Sequence, residues 1–122
     1  MKPLISCIMP HYNDSVCLVQ SIDCVIQQNI ASLEIILVDD GSTNQHLCVV
    51  ESLAKTYPQI RLYKNEENIG VVATIMRAMS LAEGEYVYIA SSNDYLMPGF
   101  FKEGVASLKR CPQAAFFNGA AI

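Results

Sequence analysis

Residues 33–43 read Leu33-Glu34-Ile35-Ile36-Leu37-Val38-Asp39-Asp40-Gly41-Ser42-Thr43, an apolar run that passes without a spacer into a doubled aspartate and a turn. A mostly continuous apolar run of this length is what a parallel strand covered on both faces requires. Similar runs recur at Leu4–Met9, Ile60–Lys64, Glu85–Ala90 and Ala114–Phe117. Between them, Leu18/Ile22/Val25, Leu47/Val50/Ala54/Tyr57 and Val72/Met76/Met79 recur at three- and four-residue spacing, as on helices with one buried stripe. Tyr57-Pro58 and Gly84 fall where the second and third helices should stop. The β-α-β-α-β-α-β-α-β pattern predicts an α/β fold: an open, mostly parallel sheet with helices on both faces, in a Rossmann-like three-layer α/β/α arrangement.

The 122 residues, 52% hydrophobic and 16% charged, suffice for one domain, 1–122, with a sizeable core. Eight Lys and Arg against twelve Asp and Glu leave a net charge of −4, and the basic residues are scattered. Nucleic acid and anionic membrane surfaces are therefore not expected partners. No apolar run approaches the length of a bilayer span, and the first residues reach Pro10 and Asp14 too soon for a signal peptide. The five cysteines (Cys7, Cys17, Cys24, Cys48, Cys111) form no C-x-x-C pair, and most sit in apolar segments. They read as reduced core cysteines of a cytoplasmic protein.

In an open α/β sheet the ligand sits beyond the carboxyl ends of the strands. The loops there read His11-Tyr12-Asn13-Asp14, Asp39-Asp40-Gly41-Ser42-Thr43, Asn65-Glu66-Glu67-Asn68 and Ser91-Ser92-Asn93-Asp94, with six of the twelve acidic residues and no Lys or Arg. Asp14 and Thr43 suit helix N-caps, but capping does not require the doubled Asp39-Asp40. An acidic rim of this kind suits a phosphate ligand only in company with a hard cation such as Mg²⁺ or Mn²⁺. The standard nucleotide signatures are missing. No G-x-G-x-x-G follows the first strand, Val105-Ala106 follow Gly99 and Gly104 where a P-loop needs Lys and Ser/Thr, and there is no G-x-S-x-G elbow.

Pro10-His11-Tyr12-Asn13 resembles the P-x-Y-N element of family 2 glycosyltransferases of the GT-A fold, and Val38-Asp39-Asp40-Gly41-Ser42-Thr43 resembles their V-D-D-G-S-T/S element. Asn65-Glu66-Glu67-Asn68-Ile69-Gly70 is similar to the family's N-x-x-N-x-G turn, and Ala82-Glu83-Gly84-Glu85-Tyr86 to its A-x-G-E-Y/F. Ser91 to Pro98 occupies the slot of its D-x-D-D-x-x-x-P segment. The elements stand in the family's order and spacing over essentially the whole chain.

The resemblance implies a glycosyltransferase of cell-envelope polysaccharide biosynthesis that moves a sugar from a nucleotide-diphospho-sugar, UDP-linked, to a saccharide or lipid-linked acceptor with inversion. It implies a nucleotide site at Pro10, Tyr12, Asn13, Asp39, Asp40 and Gly70. Tyr12 offers an aromatic face to a pyrimidine, and Asp40 accepts the uracil imide N–H. Asp39 stands at the site rim or braces the loop. Gly70 lets the backbone turn near the ligand or simply begins the third helix. Mg²⁺ or Mn²⁺ is expected at Asn93 and Asp94, although Ser91 and Asn93 stand where the family has carboxylates. The family's Arg-Asn pair meets Ile75-Met76 here, with Arg77 one step further on. No general base is expected in this chain, which reads as the N-terminal donor-binding part of a truncated domain. Its apolar Ala114–Phe117 strand, left uncovered, favours self-association. The alternative is a non-catalytic glycosyltransferase-like nucleotide-binding or structural module. A nucleotidyltransferase lacks its basic phosphate loop here, and a flavodoxin-like or receiver-like domain has no use for P-x-Y-N.

Overall fold

Four strands and four helices alternate in a computed structural model that describes residues 2–90 and 95–116: β1 Ile5–His11, α1 Ser15–Ile26, β2 Leu33–Asp39, α2 Asn44–Thr56, β3 Ile60–Lys64, α3 Val71–Leu81, β4 Tyr86–Ile89 and α4 Phe100–Arg110. The strands form one parallel sheet in the order β3-β2-β1-β4. The order reverses at β1, so the ligand crevice of such a sheet falls at the carboxyl end of β1. All seven residues of β1 and all seven of β2 are buried, which accounts for their continuous apolar character.

Alternate residues of each strand feed two cores. Ile5, Cys7 and Met9 of β1 and Leu33, Ile35 and Leu37 of β2 pack with Leu18, Ile22 and Val25 of α1, Val50 of α2 and Phe101 of α4. On the other face Ile8, Ile36 and Val38 meet Ala78 of α3. The predicted stripes of α1 and α2 are the ones that pack. That of α3 is not: Thr74 and Ala78 face the sheet, while Val72 and Met76 are 68% and 67% exposed. The small residues let α3 lie close on the strands, and the large ones are left outside.

The strands differ from expectation as well: β1 begins at Ile5 and β4 spans Tyr86–Ile89, each a residue inside the expected limits. The proline marks an expected end of β1 at Met9, yet the strand continues through Pro10 to His11. Pairing with β4 reaches only Ile8↔Ile89, and the side of β1 that Pro10 addresses lies past the end of β4, so no ladder bond is lost. Residues 114–116 form no strand, and Phe117 lies outside the described residues; the expected fifth strand, with the edge from which self-association was inferred, is not seen over 114–116. The five cysteines form no disulfide, and Cys7 alone is buried, with Cys48 and Cys111 exposed.

At the amino ends of the strands a buried carboxylate ties the sheet together. Glu34 accepts hydrogen bonds from the Ser6 hydroxyl, from Arg61 Nη1 at 2.7 Å and from the Glu83 N–H at 2.8 Å. Ser6 Oγ in turn accepts the Gly84 N–H at 2.7 Å. Burial disfavours the charged Glu34, but these donors outweigh it and hold its pKa below the ordinary carboxylate value. The turn from α3 to β4 is thereby pressed against β1, and a Cβ on Gly84 would sit 2.5 Å from Ser6 Oγ and 2.6 Å from its backbone nitrogen.

Gly84→Ala is therefore expected to cost about 3 kcal/mol and lower Tm by roughly 10 °C, measured by thermal unfolding; an unchanged Tm would refute the close approach. The Glu34 contribution is present above the unfolded carboxylate pKa and is lost as pH falls through the lower folded value. Urea unfolding of Glu34→Gln should accordingly show a flatter loss of stability than the parent below about pH 4.5. Parallel acid profiles would be the contrary result.

Candidate nucleotide-binding site

The loops after β1, β2 and β3 meet around Asp39, the last residue of β2, and Asp40, which follows it. Asp39 is 1% exposed and turns toward the first loop. His11 Nδ1–H donates to Asp39 Oδ1 at 2.9 Å, and His11 Nε2 accepts the Asp14 N–H at 3.0 Å, so both imidazole nitrogens are engaged by the neutral ring. Ser42 donates to the same carboxylate twice, through its hydroxyl at 2.6 Å and its N–H at 2.9 Å. Asn13, in the left-handed region at φ 48°, completes the junction. Its N–H donates to Ser42 Oγ at 3.0 Å and its Oδ1 accepts the Thr43 N–H at 2.9 Å. Burial raises the Asp39 pKa, and the bonds from His11 and Ser42 more than reverse this, leaving it low.

Asp40, 4% exposed, turns toward the third loop. Its Oδ1 accepts Asn65 Nδ2 at 3.0 Å and the Ile69 N–H at 2.8 Å, while its Oδ2 accepts the Gly70 N–H at 3.0 Å. Asn68 Nδ2 also holds the Asp40 carbonyl at 3.2 Å. Desolvation is again the largest influence, overcome by the Ile69 amide, Asn65 and the Gly70 amide, so the Asp40 pKa is lowered. Gly70 has φ +92°, which aims its N–H at the carboxylate while starting α3. An L side chain rarely adopts this angle. Thr74, fully buried one helical turn on, donates to the Gly70 carbonyl at 2.8 Å and accepts from Asn65 at 3.1 Å.

Between the β1 end and the start of α3 lies a cleft of about 330 Å³ lined by Pro10, His11, Tyr12, Asp40, Asn68, Gly70, Val71 and Thr74. Tyr12 is 50% exposed, so its ring is available to a ligand. Of the site residues expected from the sequence, Pro10, Tyr12, Asp40 and Gly70 come together on this cleft. Asn13 and Asp39 do not line it; they brace the loops behind it. Asn93 and Asp94, the expected metal positions, lie outside the described residues, and among the described residues no three His, Cys, Asp or Glu side chains gather as a metal set.

The acidic rim is a different object from the one expected. Its central pair is buried and met by donors, and the exposed carboxylates of the third loop are Glu66 and Glu67. Neither Asp14 nor Thr43 makes a side-chain capping bond to its helix. Sequence reasoning missed Thr74 and Asn65. The signal for Thr74 was available, as a lone hydroxyl in the first turns of the apolar helix Val71-Val72-Ala73-Thr74-Ile75-Met76. Arg77 points away from the cleft, donating to the Lys64 carbonyl at 3.1 Å and to Asn65 Oδ1. A smaller apolar cavity of about 150 Å³ between β4 and α4, lined by Tyr86, Tyr88, Phe100 and Phe101 among others, carries no charged side chain. Among the described residues no helix is long and apolar enough to cross a membrane.

Comparison with known proteins agrees with this geometry. An uncharacterized glycosyltransferase of Haemophilus influenzae is 32% identical over 94 residues, 77% of this chain and 38% of the relative. The structure of Staphylococcus aureus TarS 1–349 in complex with UDP-GlcNAc superposes with TM-score 0.79 at 27% identity, covering 88% of this chain and 31% of that 1–349 chain. The mannosyltransferase PcManGT of Pyrobaculum calidifontis, in complex with GDP-Man and Mn²⁺, gives TM-score 0.79 at 25% identity over 88% of this chain and 33% of the enzyme. The chain thus spans little more than a third of the length of the Haemophilus influenzae relative and a third of PcManGT. Residues 6–121 match the family described as glycosyl transferase family 2. With a parallel sheet of GT-A type and an almost complete family match, the chain belongs to glycosyl transferase family 2.

Proposed function

We propose that residues 1–122 form a single donor-binding domain whose cleft takes the base of a UDP-sugar, as the N-terminal part of a cytoplasmic, inverting glycosyltransferase. The observation that carries this is the state of the Asp40 carboxylate. Its Oδ1 already accepts two donors and its Oδ2 one. One acceptor site is left, on a residue that lines the cleft. A uracil imide presents one N–H flanked by carbonyls and fills that site. Guanine presents two donors side by side, and cytosine puts an acceptor there. The half-exposed Tyr12 supplies the stacking face.

The family chemistry assigned to the whole enzyme is one in-line displacement at the anomeric carbon by an acceptor hydroxyl, with release of the nucleoside diphosphate. This chain's part is to fix the base so that the sugar is presented to the acceptor. We assign the general base to a residue outside this chain, because Asp39 does not line the cleft and the acceptor nitrogen of His11 already takes the Asp14 N–H. Asn93 and Asp94 supply oxygen donors suited to Mg²⁺ or Mn²⁺, which when bound offsets the charge of the diphosphate. PcManGT with Mn²⁺ supports that reading. Ser91 and Asn93 in place of carboxylates favour the second reading, a binding module without transfer activity.

Calorimetric titration tests the proposal. UDP is expected to bind more tightly than CDP or GDP, and Asp40→Asn to weaken UDP at least about tenfold while erasing the preference over CDP. Tyr12→Ala should weaken UDP and CDP alike, by about tenfold for the lost stacking. Equal binding of UDP and CDP by the parent would overturn the assignment of Asp40. Binding of UDP unaffected by EDTA would remove the metal from it.

A further inference from the structure

We infer that Arg77 is a positioning residue of the base pocket, acting on Asp40 through the side-chain amide of Asn65. The inference deepens the reading of the cleft as a nucleotide site and rests on it. Arg77 is on the exposed side of α3 and is not among the residues that line the cleft. Its guanidinium is anchored where it stands, with Nη1 donating to the Lys64 carbonyl at 3.1 Å and the group lying 5.8 Å from the Tyr63 ring centre. The same Nη1 donates to Asn65 Oδ1. The opposite end of that amide, Nδ2, is shared between Asp40 Oδ1 at 3.0 Å and Thr74 Oγ1 at 3.1 Å.

An asparagine amide placed between a cation and an anion has one workable orientation. Oδ1 must face the guanidinium and Nδ2 the carboxylate. A charged donor at Oδ1 polarises the amide and strengthens the bonds that its Nδ2 donates. Arg77 therefore reaches the cleft by one intervening side chain. The path runs from the exposed helix through Asn65 to a carboxylate that lines the cleft. Asn65 is fixed for this task at the backbone as well, since its N–H donates to the Asp39 carbonyl at 2.8 Å as β3 ends. Without Arg77, Asn65 Oδ1 turns to water, the amide gains rotational freedom, and Asp40 is left to the Ile69 and Gly70 amides.

The test compares Arg77→Gln, Arg77→Lys, Asn65→Ala and the Asn65→Ala/Arg77→Gln double variant of this chain. Arg77 is exposed, so its two variants are expected to keep the fold. UDP affinity is read by calorimetry, and the titration of the Asp40 carboxyl carbon is followed by NMR without nucleotide. Arg77→Gln should weaken UDP about three- to tenfold and move the Asp40 midpoint upward, whereas Arg77→Lys, which keeps a charged donor, should restore most of both. In the Asn65→Ala background, Arg77→Gln should change neither quantity further. A further loss in that background would mean that Arg77 acts on the ligand or on Asp40 directly, and would overturn the relay. So would an Asp40 midpoint that does not respond to Arg77→Gln. A parent chain that binds no UDP counts against the uridine site alone, because the nucleotide-free titration still decides the relay.

Discussion

Two adjacent carboxylates at the end of a fully buried strand must each find donors, because an ionised group removed from water is tolerated only when it is hydrogen-bonded. Successive side chains of a strand point to opposite faces, so Asp39 and Asp40 cannot share a set of partners. Asp39 draws on His11 and Ser42, and Asp40 draws on Asn65 and the amides of Ile69 and Gly70. The loops after β1, β2 and β3 are thus locked together by one dipeptide. The cleft is what remains between loops whose positions that dipeptide has set.

The opposite edge of the sheet obeys the same rule with a different outcome. Glu34, near the start of β2, gathers Ser6 of β1, Arg61 of β3 and the turn before β4. The hollow beside that turn, about 430 Å³ and lined by Lys2, Pro3, Leu4, Ser32, Glu83, Gly84 and Glu85, does not include Glu34. The glycine turn lies hard against the strand, and Arg61 is held by the Tyr63 hydroxyl as well as by Glu34. A buried acid is a structural tie at both ends of β2. What distinguishes the carboxyl end is that Asp40 lines its cleft, whereas Glu34 does not line the hollow beside it.

The fold was legible because its signal is coarse. Buried parallel strands are apolar throughout, and an error of two residues at the end of β1 leaves the topology intact. The face of α3 was not legible, because periodicity identifies a large apolar stripe and here the sheet takes the small one, Thr74 and Ala78. Nothing in the spacing of Val72, Met76 and Met79 distinguishes a core stripe from an exposed one. The cleft was half legible. Tyr12 and Asp40 are marked by residue type beside a strand end, whereas the division of labour between Asp39 and Asp40 depends on which way each side chain turns. That direction becomes visible only when the partners, 25 to 30 residues away along the chain, are in place.

This division also bears on how the cleft would meet a ligand. A carboxylate exposed to water must shed its solvation before it can accept a hydrogen bond from a base, and its side chain must be ordered at the same moment. Asp40 has already undergone both changes in the folded chain, at the expense of burial that the surrounding donors offset. Its low pKa keeps it ionised, and its three internal bonds hold it in one orientation. The cost of organising the contact is met during folding, so little of a ligand's binding energy need be spent on it. The same arrangement makes Asp40 a poor position for adjustment: any replacement that changes what it can accept from a ligand also withdraws an acceptor from the third loop. Selectivity is more readily tuned from behind, at Asn65 and Arg77, where the geometry of the carboxylate can be altered while the carboxylate itself is kept.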